Sequence, residues 1–211
     1  REVSLLFEEA VKRTGDPAFG LIVGQALHPG TLHALGYALM ASTSIRDFCQ
    51  RLKNYYRIVS QNAFIDTAEN DGEFSLITHA PSPEICWETH DAFSCLMIRF
   101  VRFIYNPEFN PNSIDLMRPE PGEAVRHRYE EYFRCPISYG CDKLEFRFNL
   151  ADVDRPLPGA SQELTQMHDQ TTMQYLKKLE KSDIVNQVKT IVVEQLASHA
   201  LTKQHVADRL Y

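Results

Sequence analysis

Sequence patterns that mark most enzymes and cofactor-binding domains are absent from this 211-residue chain. It contains no glycine-rich phosphate loop, no Gly-x-Ser-x-Gly nucleophile turn, no His-Glu-x-x-His zinc helix and no Cys-x-x-Cys pair. Such motifs supply the phosphate cradles, nucleophiles and metal ligands of many enzymes. We therefore expect no catalytic residues, no metal site and no cofactor.

Long apolar runs are also missing. The longest candidate, residues 93–105, is interrupted by Arg99 and Arg102 and is shorter than the roughly 20 apolar residues that a membrane span needs. The first residues follow an acidic amphipathic pattern instead of the pattern of an export signal. We therefore expect a cytoplasmic protein without a membrane partner.

The five cysteines are odd in number and irregular in spacing. This usage is typical of a reducing compartment, where cysteines stay free. Cys135 and Cys141 flank a short predicted strand, so whether they form a disulfide is left open by the sequence.

The chain has little excess charge of the kind that attracts nucleic acid. It carries 22 Lys and Arg against 28 Asp and Glu, a net charge of −6. Residues 161–211 contain equal numbers of acidic and basic side chains, so the whole excess lies in residues 1–160. Because phosphate binding needs clustered cations, this chain by itself is not expected to bind DNA specifically.

Apolar residues recur at three- and four-residue steps through much of the chain, which predicts helices at 3–11, 19–27, 32–40, 45–59, 87–105 and 123–133. Gly20 and Gly24, four residues apart, indicate a helix that packs closely on a neighbour. Shorter β-type runs predict strands at 63–68, 73–79, 113–117, 136–139 and 143–148.

The predicted strands form a small, mostly antiparallel sheet. Asp71-Gly72 between two β-type runs favours a hairpin. Charged Glu145 and Arg147 alternate with apolar residues, which predicts that one side of their strand faces solvent. The expected fold class is therefore α+β, a helix-rich domain with a small sheet.

A composition change at 155–159, Arg-Pro-Leu-Pro-Gly, indicates a domain boundary, and the sequence beyond it is helical. Ser182-Asp183 predicts a break there with a capped second helix, and Thr202 predicts the cap of a last short helix. We expect a regulatory domain at 1–160, a helical linker with a possible dimerisation role at 161–182, and a separate helical unit from 183 to 211.

Two groups of residues are candidates for ligand contact. Arg99 and Arg102 lie in a strongly apolar helix, where a guanidinium needs an acidic partner, a route to the surface or a carboxylate ligand. Aromatic side chains provide apolar pocket walls, and tyrosine adds a hydroxyl group. The candidate ligand-binding residues are Tyr37, Tyr55, Trp87, Arg99 and Arg102.

Two alternatives stay open. Cys86 and His90 are four residues apart on a predicted helix, a spacing that allows a thiolate–imidazole pair in a small-molecule enzyme. A packed interior without a pocket would instead indicate a ligand-free dimerisation module.

Three segments together resemble the N-terminal effector domain of AraC-type transcription regulators, in the subgroup named for arabinose binding. The first runs through Thr14–Leu21, Pro29–Ser42 and Ser44–Phe48. The second is Cys135–Gly140 with Leu144-Glu145-Phe146, and the third is Asp154–Pro158 followed by Glu163-Leu164. The resemblance covers about residues 3–165.

The C-terminal residues are similar to the part of that family that follows the effector domain. Ile184–Ala197 resembles the first supporting helix of its DNA-binding domain, and Leu201–Tyr211 resembles the first, non-reading helix of a helix-turn-helix. The resemblance implies that the chain stops before the base-reading helix and contains no DNA-binding residue, so that its parent would bind DNA through a part missing here.

The resemblance implies a homodimeric regulator of transcription that responds to a small molecule. The sugar-binding domain of AraC itself is a barrel made mostly of strands, whereas this chain is rich in helical patterns. We therefore carry over no arabinose contact, and Arg99 and Arg102 favour a carboxylate ligand.

Overall fold

The computed structural model describes residues 2–80, 85–195 and 203–210. The helices are α1 Glu2–Thr14, α2 Phe19–Ala26, α3 His33–Met40, α4 Ile45–Tyr55, α5 Trp87–Ile104, α6 Glu123–Phe133, α7 Leu150–Val153, α8 Gln162–Gln195 and α9 Lys203–Leu210. The strands are β1 Phe64–Asn70, β2 Glu73–His79, β3 Ser113–Asp115, β4 Ile137–Ser138 and β5 Leu144–Asn149. Single 3-10 turns cover Pro29–Leu32 and Tyr56–Ile58.

The strands form one sheet in the order β1-β2-β5-β3-β4, in which β3 and β4 are parallel and the other pairs antiparallel. The predicted hairpin is confirmed, with Asn70 opposite Glu73 and Asp71-Gly72 in the turn. The expected α+β class, helix-rich with a small and mostly antiparallel sheet, is therefore confirmed.

Helix α5 lies at the centre of the domain. Its residues from His90 to Ile98 are buried, as expected for a helix that packs on more than one side. Phe100 packs edge-on against Phe48 of α4, and Phe93 packs edge-on against Tyr56. Leu76 and Phe146 of the sheet are buried in the same apolar core as these helices.

The predicted close packing at Gly20 and Gly24 is found between α2 and α5. A Cβ at Gly24 would lie 2.6 Å from the Ala92 carbonyl oxygen and would also meet the Cys95 side chain. Real Cβ atoms do not approach this closely, so only glycine permits the observed distance between the two helices.

The prediction of a solvent-facing side on β5 is wrong. Glu145 is only 6% exposed, and its carboxylate forms an ion pair with Lys143 at 2.9 Å. Arg147 pairs with Asp115 of β3 at 2.5 Å and with Glu145 at 3.1 Å. The charged residues therefore form ion pairs with one another within β5 and across to β3. The alternation of charged and apolar residues in β5 arises from this network and not from a side that faces solvent.

The predicted helix break at Ser182-Asp183 is also wrong, because α8 continues from Gln162 to Gln195. Residues 162–195 contain neither Gly nor Pro. Ser and Asp in a helix interior cost only about 0.5 kcal/mol each relative to Ala, which is too little to end a long helix. The predicted cap at Thr202 lies outside the described residues.

The boundary expected at 155–159 coincides with the connection between α7 and α8. Leu157 in this connection is buried, and its N–H donates to the Thr43 carbonyl at 3.0 Å. Cys135 and Cys141 are both free, so they do not form a disulfide. None of the described helices is long and apolar enough to cross a bilayer.

Candidate functional site

A cavity of about 470 Å³ lies between α1, α2, the N-terminal half of α5 and the segments 31–33 and 56–63. We call it the interhelical cavity. Its apolar walls are Val3, Phe7, Val23, Leu27, Leu32, Ile58, Val59, Ala63, Ile85, Ala92, Phe93 and Leu96. Its volume lies within the range of small-molecule sites.

Polar side chains are interspersed in these walls: Ser4, Thr31, His33, Tyr56, Ser60, Asn62, Thr89 and His90. Several of their polar atoms already have partners. Thr31 Oγ1 accepts from the His28 N–H at 3.3 Å, and Ser60 Oγ accepts from the Asn62 N–H at 3.2 Å. Among the residues that line the cavity in the described structure, none is Asp, Glu, Lys or Arg.

His90 is 6% exposed at the α5 wall. Burial disfavours the imidazolium and lowers the pKa of His90 below its usual range. The ring is therefore neutral at neutral pH and offers the cavity one N–H donor and one ring nitrogen acceptor.

His33 belongs both to the cavity wall and to the start of α3. Its backbone has φ 53° and ψ −139°, a combination that costs a non-glycine residue on the order of 1–3 kcal/mol. Its ring stacks on Tyr175 of α8, with ring centroids 5.5 Å apart and an angle of 28° between the planes. The same residue thus borders the cavity and contacts α8.

Helix α8 is attached to the domain along one flank, between Thr165 and Glu180. Thr165 Oγ1 donates to the Ala41 carbonyl at 2.6 Å, and Asp169 pairs with buried Arg51. The rings of Tyr37 and His168 stack with centroids 6.4 Å apart. Beyond this flank Ile184 and Val185 are about half exposed, at 49% and 50%.

A buried polar cluster lies directly behind the cavity wall, beside His90. Asp91 Oδ2 accepts from Arg118 and from the Tyr129 hydroxyl, each at 2.7 Å. Arg118 also donates to Tyr129 and to the Pro17 carbonyl. This Asp91 cluster joins α5 and α6 to the turn between α1 and α2.

Burial dominates the electrostatics of the Asp91 cluster. It raises the pKa of Asp91 to about 6, although the charge of Arg118 and the hydrogen bond from Tyr129 act in the opposite direction. Sequence reasoning missed this cluster, and the available signal was Asp91 itself, an acidic residue next to the long apolar run that begins at Ala92.

The five predicted ligand-binding residues lie on α3, α4 and α5, with Trp87, Arg99 and Arg102 all on α5, and none of them lines the interhelical cavity. Tyr37 is 54% exposed on α3 and Trp87 is 43% exposed at the start of α5. Tyr55 is half-buried at the end of α4, where burial and then the charge of Asp169 raise its pKa.

Both candidate arginines contact main-chain carbonyl groups. Arg99 donates to Gln25 and to Leu27, the latter at 3.0 Å, at the C-terminal end of α2. Arg102 donates to Phe109 at 2.9 Å and to Tyr132 and Phe133 at 2.8 and 3.1 Å, at the C-terminal end of α6. Carbonyl groups at helix ends lack intrahelical partners and carry partial negative charge, so these arginines act as C-terminal caps.

Arg102 also borders a second, more open hollow of about 570 Å³, together with Arg128 and Arg134. Arg128 pairs with Asp16 at 2.6 Å, and Arg134 pairs with Glu108 at 2.8 Å. A carboxylate ligand in this hollow would have to compete with these existing partners.

Cys86 and His90, the residues of the enzyme alternative, have different surroundings. Cys86 Sγ lies 3.3 Å from the Thr89 hydroxyl, whereas His90 lies on the cavity wall. Within the described residues, no group of three or more His, Cys, Asp or Glu side chains is arranged to hold a metal ion.

A mostly apolar cavity with a few hydrogen-bonding groups is typical of a small-molecule-binding domain. Residues 1–157 match the family described as "Arabinose-binding domain of AraC transcription regulator, N-term". This match covers well over half of the chain, so the chain belongs to that family.

A solved structure supports the same fold. The chain is similar to the crystal structure of the transcriptional regulator CdpR from Pseudomonas aeruginosa, with a TM-score of 0.64 and 18% sequence identity. The similarity covers 78% of this chain and 53% of that chain, so the present chain spans about half the length of that regulator. A comparison with curated proteins found no match.

Proposed function

We propose that this chain is the ligand-sensing part of an AraC-type transcription regulator, and that a small molecule binds in the interhelical cavity. Residues 1–160 form the sensing domain, 161–182 the linker, and 183–211 the start of the DNA-binding domain. The observation that carries this proposal is the position of His33, which lines the cavity and stacks on α8.

A ligand can shift the regulator only by the difference between its affinities for two arrangements of the protein. A molecule in the cavity contacts His33, and any movement of that ring changes its stacking on Tyr175. Because α8 continues without a break to Gln195, a rotation or tilt at Tyr175 moves residues beyond 183 as well. The linker thus acts as a rigid lever in the proposed mechanism.

DNA binding and dimerisation belong to the parent protein in this proposal. Residues 184–210 precede the base-reading helix that the family resemblance implies, so the parent would bind DNA through a further segment and act as a homodimer. The half-exposed Ile184 and Val185 provide apolar surface for contacts with that segment or with a second copy.

An electrophoretic mobility shift with the full-length regulator tests the proposal. DNA selected from a random pool should be bound specifically, and its affinity should fall steeply with salt, by about tenfold or more between 50 and 200 mM. Residues 1–211 provide the control and should show no sequence preference. Absence of salt-sensitive, specific binding by the full-length regulator would refute the proposed function.

A cavity variant tests the location of the ligand site. Ala92, which is 5% exposed, lines the cavity, and Ala92→Leu would fill part of it. Its affinity for the neutral fluorescent probe N-phenyl-1-naphthylamine should fall about tenfold, since an added side chain competes with the probe for the same volume. Ala151→Leu, at an exposed position of α7, should bind the probe like the wild type.

A further inference from the structure

We infer that the interhelical cavity takes an uncharged, predominantly apolar molecule with one hydrogen-bonding end, such as a medium-chain alcohol, and discriminates against sugars and carboxylates. The inference rests on the proposed function, because it concerns the ligand of the same cavity. It replaces the expectation from the sequence that the ligand is a carboxylate bound by Arg99 and Arg102.

Charge disfavours ionic ligands in the cavity. The described residues that line the cavity include no Asp, Glu, Lys or Arg. His90 contributes a neutral ring at neutral pH, because burial lowers its pKa. An ion transferred from water into such walls loses its hydration without gaining a charged partner, which is strongly unfavourable.

The arginines near the cavity have other partners. Arg118, behind the α5 wall, binds Asp91 and Tyr129. Arg99 is held by the carbonyl groups at the end of α2. A ligand carboxylate would have to remove one of these side chains from its partners, and the loss would leave the buried Asp91 carboxylate or the carbonyl groups unpaired.

The cavity walls are also poorly suited to sugars. A monosaccharide carries a hydroxyl group on nearly every carbon, and each one needs a hydrogen-bond partner when buried. Thr31 Oγ1 and Ser60 Oγ each already accept a backbone N–H, and Thr89 Oγ1 lies 3.3 Å from Cys86 Sγ, so these hydroxyl groups keep fewer hydrogen-bonding positions for a ligand than the several hydroxyl groups of a monosaccharide need. The opposing surfaces at Val23, Leu27, Ile58, Phe93 and Leu96 offer hydrocarbon, which suits an alkyl or aromatic body.

Helix α1 is incompletely buried. This helix has no buried residue, and Val3 on the cavity wall is 55% exposed. Removal of apolar surface from water contributes roughly 25 cal/mol per Å². An apolar ligand against Val3 and Phe7 would cover such surface, whereas a polar ligand would gain little from it.

Competition experiments on residues 1–211 test the inference. N-phenyl-1-naphthylamine is bound first, and 1-decanol, decanoate at about pH 8, where a carboxyl group is ionised, and L-arabinose are titrated as competitors. Decanol should displace the probe at a concentration at least about tenfold lower than decanoate does, because only decanoate must bury a charge. Arabinose should not displace it.

A variant that adds a cation to the cavity rim makes the test specific. Asn62 is an exposed residue that lines the cavity. In Asn62→Lys, the ratio between the concentrations of decanoate and decanol that displace the probe should fall by about fivefold or more, because the ammonium group forms an ion pair with the carboxylate. Asn70→Lys adds the same charge at the exposed end of β1 and should leave the ratio unchanged.

The outcomes separate the two proposals. Decanoate or arabinose displacing the probe better than decanol would overturn the inference on ligand class and leave the cavity as a ligand site. Equal effects of Asn62→Lys and Asn70→Lys would also overturn it, because the preference would then not arise in this cavity. Failure of the probe to bind at all would overturn the ligand site itself, and with it the proposed function.

Discussion

His33 and Tyr175 stack with their ring centroids 5.5 Å apart, although they are separated by most of the sensing domain in sequence. His33 lines the interhelical cavity and Tyr175 lies on α8. This pair therefore forms a direct contact between the proposed ligand site and α8, the helix that would transmit the signal to the proposed DNA-binding part.

Removal of the Tyr175 ring should uncouple ligand binding from DNA binding. In the full-length regulator we expect 1-decanol to change operator affinity by about fivefold or more, the usual size of an allosteric coupling. Tyr175→Ala should abolish this change, and Tyr175→Phe should keep it because the ring is retained. Fluorescence anisotropy of labelled operator DNA measures both affinities.

Met173→Ala is the matched control for this prediction, since Met173 is an exposed residue on the same helix. It should respond to decanol like the wild type. A Tyr175→Ala regulator with an undiminished response would show that the signal does not pass through this stack.

Gly24→Ala should destabilise the chain by about 1–3 kcal/mol, the usual cost of an atom forced into a packed interior. The new Cβ would lie 2.6 Å from the Ala92 carbonyl oxygen, so α2 and α5 would have to separate. Urea denaturation measures the loss. Gly159→Ala, where the added carbon meets nothing within 4 Å, is the control, and equal stability of the two variants would contradict the close-packing argument.

Asp91 should give the stability of the chain a specific pH dependence. Burial raises its pKa to about 6 in the folded chain, whereas an unfolded chain has an Asp pKa of about 3.9. The folded state therefore binds the proton more tightly. The stability contributed by this proton is fully present below about pH 4 and is lost as the pH rises through about 6.

Asp91→Asn removes this titration. The free energy of unfolding of the wild type should fall relative to that of Asp91→Asn by on the order of 2 kcal/mol between about pH 4 and pH 6.5. Lys53 lowers the pKa of Asp66, so the free energy of unfolding of the wild type should instead fall relative to that of Asp66→Asn as the pH decreases below about 4. Parallel pH profiles of the wild type and Asp91→Asn would contradict a buried, titrating Asp91.

Arg102 should contribute to stability and not to ligand affinity. Arg102→Gln removes charged hydrogen bonds to three carbonyl groups, which should lower the free energy of unfolding by about 1.5–3 kcal/mol. Decanol affinity should stay within about twofold, because Arg102 does not line the cavity. Arg13→Gln, which breaks an exposed pair with Glu9, is the control for charge loss.

A loss of ligand affinity in Arg102→Gln at unchanged stability would instead support the ligand contact expected from the sequence. Isothermal titration calorimetry and urea denaturation on the same samples distinguish the two results.

Local features of the fold could be predicted from the sequence because their causes are local. Asp71-Gly72 indicates a tight turn whatever surrounds it, and the spacing of Gly20 and Gly24 indicates a helix face without side chains. The continuity of α8 could not be predicted in this way. Ser182-Asp183 has the chemistry of a helix cap, but no glycine or proline ends the preceding helix, and packing on α3 and α4 stabilises it.

The candidate site could not be predicted from the sequence, because no local sequence pattern connects the residues that form it. The interhelical cavity exists only because Val3, Val23, Thr31, Ile58 and Thr89 come together in the folded chain. The partners of Arg99 and Arg102 are carbonyl groups, which every residue carries and which side-chain patterns therefore cannot indicate. The presence of two arginines in an apolar helix suggested that they bind a carboxylate ligand. Their contacts in the structure instead indicate that they cap the C-terminal ends of helices.

Occupation of the interhelical cavity should change α8. Hydrogen–deuterium exchange of residues 1–211, with and without saturating 1-decanol, tests it most directly. The account predicts slower exchange in α1 and α2 around the cavity together with a change in α8 between residues 165 and 180, where this helix is attached to the domain. Protection confined to the cavity walls, with identical exchange throughout α8, would contradict it.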